Sequence, residues 1–215
     1  MLVRTFLLAA LALSAACGDA SEASAAPREA SAWTIGPIIG SRNYSVNMPL
    51  NPTPRRDGGW HIDLPRAPGS LHYVTFRHGS LAGKRRIVMR GRIEADAGVR
   101  ILPSTAPQLP SMMTLYFQRA GDNWRGRGRY ETYRWYATFA TRSPVTPGTF
   151  EIAAPLDGDW TAVGTSTARG NPAAFRDALA EADEVGFVMG GGDGYGHGVF
   201  ATGRARLIVT DFRVE

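Results

Sequence analysis

From Trp33 to the C terminus, apolar and polar residues alternate in short runs, and the runs end at glycine, proline or an Asp-Gly pair. A repeat of two is that of an extended strand with one buried face. Residues 60–64 (WHIDL) set Trp60, Ile62 and Leu64 against His61 and Asp63. Residues 71–77 set Leu71, Tyr73 and Thr75 against His72, Val74 and Phe76, and residues 86–95 set Ile87, Met89 and Ile93 against Arg86, Arg90, Arg92 and Glu94. Residues 112–119 divide Met113, Leu115 and Phe117 from Thr114, Tyr116 and Gln118. Residues 131–140 divide Thr132, Arg134, Tyr136 and Thr138 from Tyr133, Trp135, Ala137 and Phe139.

Shorter strands are predicted at 33–39, 44–48, 149–153 and 156–160, with loops at 51–59, 102–110 and 121–128. The 25 glycines and 14 prolines among 215 residues supply the turns between them. One helix interrupts the pattern, over 171–183. Asn171 suits the N-cap, Pro172 the first helical position, and Phe175, Ala178, Leu179 and Ala182 form one apolar stripe. Residues 185–189 and 204–214 read as two closing strands around a glycine-rich loop. In the last strand Leu207 and Val209 share one parity, and Ile208, Phe212 and Val214 the other. A bulge near Thr210 or Asp211 would do this, as would burial on both faces, and the second is the preferred expectation. With no βαβ alternation, the fold expected is all-β: an antiparallel two-sheet, jelly-roll-like sandwich with a short helix near 172–182.

The N terminus reads as an export signal. Arg4 precedes an apolar run over 6–13, and Ser14, Ala15 and Ala16 lead into Cys17. Cys17, the single cysteine, stands where a lipobox places its lipidated thiol, although Ser14 occupies the position usual for a large aliphatic residue. Cleavage within residues 23–26 is the alternative. Residues 18–32 are Ala/Ser-rich and are expected to form a flexible tether, leaving 33–215 as a single domain. The chain is therefore expected in the periplasm or, as a lipoprotein, on the outer membrane of a Gram-negative cell. Membrane contact is expected only through that anchor.

The formal net charge is +5, and Lys84 is the only basic residue that is not arginine. Groups at Arg55-Arg56, Lys84-Arg85-Arg86 and Arg125-Arg127-Arg129 read either as solvated surface or as attraction to an anionic polymer or lipid. An exported chain without a nucleic-acid motif is not expected to bind nucleic acid.

Three segments carry a resemblance: LYFQRAGDNWRGRGRYETYRWYAT (115–138), GTFEIAAPLDGDWTAV (148–163) and FRDALAEADEVGFVMGGGDGYGHGVFATGRARLIVTDFRV (175–214). Together they resemble a group of uncharacterised proteobacterial exported proteins. More distantly they resemble the jelly-roll sandwiches of galactose-binding-like and carbohydrate-binding modules. What the resemblance implies is a sandwich inclined to bind a ligand, without a transferable set of site residues.

Candidate site residues come from two places. In the loop Gly190 to Gly198, Asp193, Tyr195 and His197 stand two apart among glycines; Asp193 and His197 could hydrogen-bond sugar hydroxyls while Tyr195 stacks on a ring. This loop lacks the Lys-Ser/Thr of a phosphate loop and the tandem copies of a calcium-binding nonapeptide. A plain inter-strand crossover is the competing reading. In the aromatic set, Trp124 sits in a polar loop and is expected to be exposed, Tyr133 is a second ligand-binding candidate, and Trp135 is expected in the core. His61, His72, His78 and His197 lack metal-ligand spacing, so no metal site is expected. His61 and His72 would face each other if residues 60–64 and 71–77 formed a hairpin. No cofactor is expected; calcium is left open, with no motif to require it.

The expectation is an exported, lipid-anchored sandwich that binds a carbohydrate or envelope glycan without catalysis. Two alternatives stand beside it. One is a sandwich-fold polysaccharide lyase or hydrolase using His197 with Tyr195 or Tyr133, or carboxylates drawn from Asp157, Asp159 and Glu131. The other is a structural envelope protein that docks a protein partner.

Overall fold

Ten principal strands divide between two antiparallel sheets in this computed structural model, which describes residues 24–25, 29–69, 72–137, 141–191 and 196–215. They are β1 (Trp33–Gly36), β2 (Trp60–Asp63), β3 (His72–Arg77), β4 (Arg86–Ala95), β5 (Met112–Arg119), β6 (Arg134–Ala137), β7 (Gly148–Pro155), β8 (Trp160–Ala162), β9 (Ala182–Gly190) and β10 (Ala205–Val214). Sheet I runs β7-β4-β10-β2, with Thr53–Pro54 beyond β2. Sheet II runs β8-β6-β5-β9-β3-β1, with Ser143–Pro144 beside the start of β5. Successive strands change sheet at most connections, so the chain forms the expected antiparallel two-sheet sandwich.

Alternation decides which side chains meet between the sheets. Val74, Phe76, Leu115, Phe117, Trp135 and Phe187 come inward from Sheet II, and Trp60, Ile62, Ile87, Met89, Leu207 and Phe212 from Sheet I. At one end Trp33 packs 4.7 Å from Trp60, 4.6 Å from Phe76 and 5.2 Å from Phe212, ring centre to ring centre. Helix α1 (Pro172–Ala180) closes the other end, placing Phe175 4.8 Å from Trp135 and 5.9 Å from Phe117. Its start is fixed as expected: the Asn171 side chain accepts from the Ala174 N–H at 3.4 Å, and Pro172 opens the first turn. The helix stops earlier than its apolar stripe suggested, because Ala182 already pairs as β9 opposite Arg119.

Other boundaries differ for identifiable reasons. The pairing of β10 with β4 shifts register between Val209 and Asp211, so the change of parity is a β-bulge. That corrects the preference for a strand buried on both faces, although β10 is central, between β4 and β2. Residues 44–48 form no strand, because Asn43 takes the Ser45 N–H on its side-chain oxygen at 2.8 Å and makes a turn instead. Before β6, Gly128–Thr132 is a 3-10 helix, closed where the Glu131 carboxylate accepts the Gly128 N–H at 3.1 Å. His61 and His72 fall in different sheets and do not face each other.

The export signal and Cys17 lie outside the described residues. Within 18–32, expected as a tether, Ser24–Ala25 pairs with the end of β10, and Ala30–Ala32 is a 3-10 turn with Ala30 packed into the core. The sandwich thus begins ahead of Trp33. Among the described residues no helix is long and apolar enough to cross a membrane.

Candidate functional site

The polar parity of Sheet II faces outward, and its register builds a surface of unusual composition. Tyr136, Tyr116, Gly186 and Thr75 form one row across β6, β5, β9 and β3. Thr114, Val188 and Tyr73 form the next row, and Arg134, Gln118, Glu184 and Arg77 the row on the other side. An outward sheet face is ordinarily solvated. Here Tyr116, Tyr136 and Tyr73 are 0%, 2% and 6% exposed, as deeply buried as the core between the sheets.

Two loops cover this face. The first, residues 120–127, lays Trp124 against it: the indole meets the Tyr73 ring edge-on at 5.1 Å, and the Arg134 guanidinium lies over the indole at 4.9 Å. Arg134 Nη2 also donates to the Trp124 carbonyl at 3.0 Å. Arg134 Nε lies 3.0 Å from the Asp122 carboxylate, off the line of its N–H, so that contact is an ion pair without a hydrogen bond. Asp122 in turn accepts from Gln118 at 3.3 Å. Arg134 therefore holds the ring, the carbonyl and the carboxylate of one loop. That grip accompanies an unfavourable backbone, since Trp124 has φ +62°, a left-handed conformation that side chains with a Cβ rarely adopt.

The second cover is the glycine-rich loop. Gly196 has φ +67°, and a Cβ there would stand 2.8 Å from the Tyr73 ring, so its backbone rests on the tyrosine at van der Waals distance. The Gly198 N–H then closes the loop on the Met189 carbonyl at 2.9 Å.

Beneath the loops the hydroxyls are paired. The Tyr73 and Tyr136 hydroxyls are 3.0 Å apart, Tyr116 donates to Gln118 Oε1 at 2.5 Å, and Thr75 donates to Glu184 at 3.0 Å. Burial, reinforced by the neighbouring tyrosines, holds the Tyr116 and Tyr136 phenols well above their usual range. Burial also raises Tyr73, Asp122 and Glu184; Tyr136 offsets part of it for the first, Arg134 for the second and Thr75 for the third. For Arg134, burial works against the charge, but Tyr136 and Asp122 outweigh it and keep the guanidinium protonated. Such phenols donate and accept hydrogen bonds at neutral pH and do not supply a base.

The residues expected from sequence separate on the structure. Trp124 belongs to this face, half-buried rather than fully exposed. Tyr133 does not: it packs at 4.9 Å on Tyr130, under the Arg119 guanidinium. His197 is exposed. It sits at the Met112 end of β5, whereas Tyr133 sits at the Arg119 end, about 20 Å of strand away, so the two do not form a catalytic pair. Asp193 and Tyr195 lie outside the described residues. Asp159 is paired with Arg169 at 3.3 Å beside an open depression of about 360 Å³ that Asp157 also lines, and Glu131 is engaged by Gly128. Asp157 and Asp159 thus share one depression, which Glu131 does not line. Trp135 is in the core, as expected. Among the described residues no three His, Cys, Asp or Glu side chains group so as to hold a metal.

Tyr73, Tyr116, Arg134, Asp122, Gln118 and Glu184 escaped the sequence reading, whereas Tyr136 stood in the same aromatic set as Trp124 and Tyr133. A tyrosine on the polar parity of three separate strands was the available signal. Compared with protein-family models and with curated proteins, the chain matches none.

Proposed function

We propose that this chain is an exported, lipid-anchored module that binds a carbohydrate, an envelope glycan, at Trp124 in the loop over the outer face of Sheet II and does not transform it. One observation carries the reading: Trp124 is held half-exposed, in a strained backbone conformation, over a sheet face lined with tyrosine. A sugar offers C–H faces that pack on an indole, and Trp124 is the part of this covered face that stays accessible, while the buried tyrosines beneath it set the position of the ring. Arg134 holds the ring and the carbonyl of this strained residue through contacts of its own. The expected resemblance to carbohydrate-binding sandwiches is in keeping with this reading, and Gly196, beside His197, lies against Tyr73.

The test is a glycan array probed with the exported chain carrying Cys17→Ser, with and without calcium. Specific binding that Trp124→Ala weakens by about tenfold supports the reading and its location. An array that stays blank sinks the reading, and binding indifferent to Trp124→Ala moves the site elsewhere.

A further inference from the structure

Beside Trp124 the loop reads Asn123-Trp124-Arg125-Gly126-Arg127-Gly128-Arg129, three arginines spaced by glycine. Several arginines elsewhere are compensated, and among the described residues the exposed ones that are not, such as Arg66, Arg100, Arg176 and Arg204, do not form a run of three like this one. Arg86, Arg90, Arg92, Arg206 and Arg213 each contact a carboxylate, and so does Arg119 at 2.8 Å from Glu181. Arg125 and Arg127 are exposed, and among the described residues their side chains have neither an ion pair nor a hydrogen bond. Arg129 has only the Tyr130 hydroxyl, at 2.6 Å. The acids nearest in sequence are already used: Asp122 is buried against Arg134, and Glu131 accepts the Gly128 N–H.

Uncompensated charge held on a loop next to an aromatic ring is unfavourable to the isolated protein, through mutual repulsion, and favourable to an anionic partner. A lipid surface fits less well, because insertion needs apolar side chains. The loop offers arginine and glycine, and among the described residues the exposed large apolar side chains, Ile38, Val46, Leu50 and Leu109, lie in other segments of the chain. Planar guanidinium groups match carboxylates in geometry as well as charge.

We infer that the glycan bound beside Trp124 is acidic, a polymer bearing uronate carboxylates that Arg125 and Arg127 engage while the indole packs on a sugar ring. This rests on the glycan-binding reading and names its ligand class. The experiment measures affinity for polygalacturonate, alginate and hyaluronate, each beside its carboxyl-reduced neutral counterpart, across a salt series. At least one acidic polymer is expected to bind, its reduced form at least about tenfold more weakly. Arg125→Gln and Arg127→Gln should each lower affinity about fivefold and flatten the salt dependence. Arg176→Gln, on the exposed side of α1, should change neither. Equal binding of neutral and acidic forms, or loop variants that bind as wild type, would overturn the acidic assignment and leave the glycan reading standing. So would an Arg176→Gln loss as large as that of Arg125→Gln, because the attraction would then be diffuse. No binding to any polymer, charged or neutral, overturns both.

Discussion

The outer faces of the two sheets solve one problem in opposite ways. Both strand sets must place polar parity outward. On Sheet I those residues form a solvated ion lattice: Arg90 reaches Glu151 at 2.8 Å and Asp211 at 3.4 Å, Arg213 reaches Asp211 at 3.0 Å, and Arg206 reaches Asp63 at 2.8 Å. Arginine stems lie across this face while buried Ile208 and Val88 fill the spaces below. On Sheet II the same parity carries tyrosines, and two loops remove it from water. An exposed lattice tolerates the loss of a member, since water replaces each partner. A covered face does not, since each polar atom depends on one neighbour. The two faces thus differ in environment, one solvated and one covered.

The sharpest way to break this contrast is to remove one arginine from each face. Arg134→Ala strands Asp122 in a buried position and releases Trp124, and should cost about 3–5 kcal/mol. A urea midpoint measures it, and Trp124 gives an independent signal. The other four tryptophans are fully buried, so loosening of the loop should appear as increased quenching of fluorescence by iodide. Arg90→Ala on Sheet I should leave the midpoint almost unmoved. Equal effects of the two substitutions would dissolve the distinction. A smaller effect comes from Tyr116→Phe, which leaves the Gln118 carbonyl buried without its donor and should cost about 1–3 kcal/mol. Gly196→Ala belongs to the same range, since it forces a left-handed alanine against Tyr73; stability like that of wild type would show that the loop does not rest there.

The sandwich and its helix were legible because alternation and capping are local. The inward sets on β2, β4 and β5 read directly from parity, as did Asn171 and Pro172, whereas for β6 parity gave two sets without saying which faces outward. The candidate face was legible only in pieces. Tyr73, Tyr116 and Tyr136 each stood on the polar side of a strand, but that β6, β5, β9 and β3 are neighbours is a long-range fact with no local signal. Tyrosine on a polar parity reads as half-exposed until the covering loops are known. Arg134 looked like one solvated arginine among many, because its partners Asp122 and Trp124 come from a turn whose course parity does not predict. The bulge in β10 was weighed against burial on both faces, and parity alone could not choose, since Ile208 is buried on the outer side as well.

The smallest expected effect separates the faces by sign. On Sheet I, Arg90 holds the Glu151 carboxyl below its ordinary value. A depressed acid contributes stability that is present above the unfolded pKa and is lost as pH falls through the folded one. On Sheet II, burial raises Glu184 despite the Thr75 hydrogen bond. There the folded chain holds its proton more tightly than the unfolded chain, so stability declines as pH rises from the unfolded pKa through the raised folded value. Urea midpoints followed from pH 3 to pH 7 in Glu151→Gln and Glu184→Gln test this directly. Glu151→Gln should remove part of the acid-side loss, and Glu184→Gln should remove a loss that develops on the way up. If both glutamines change the profile in the same direction, Glu184 is solvated in the way Glu151 is, and the two faces differ in composition without differing in environment.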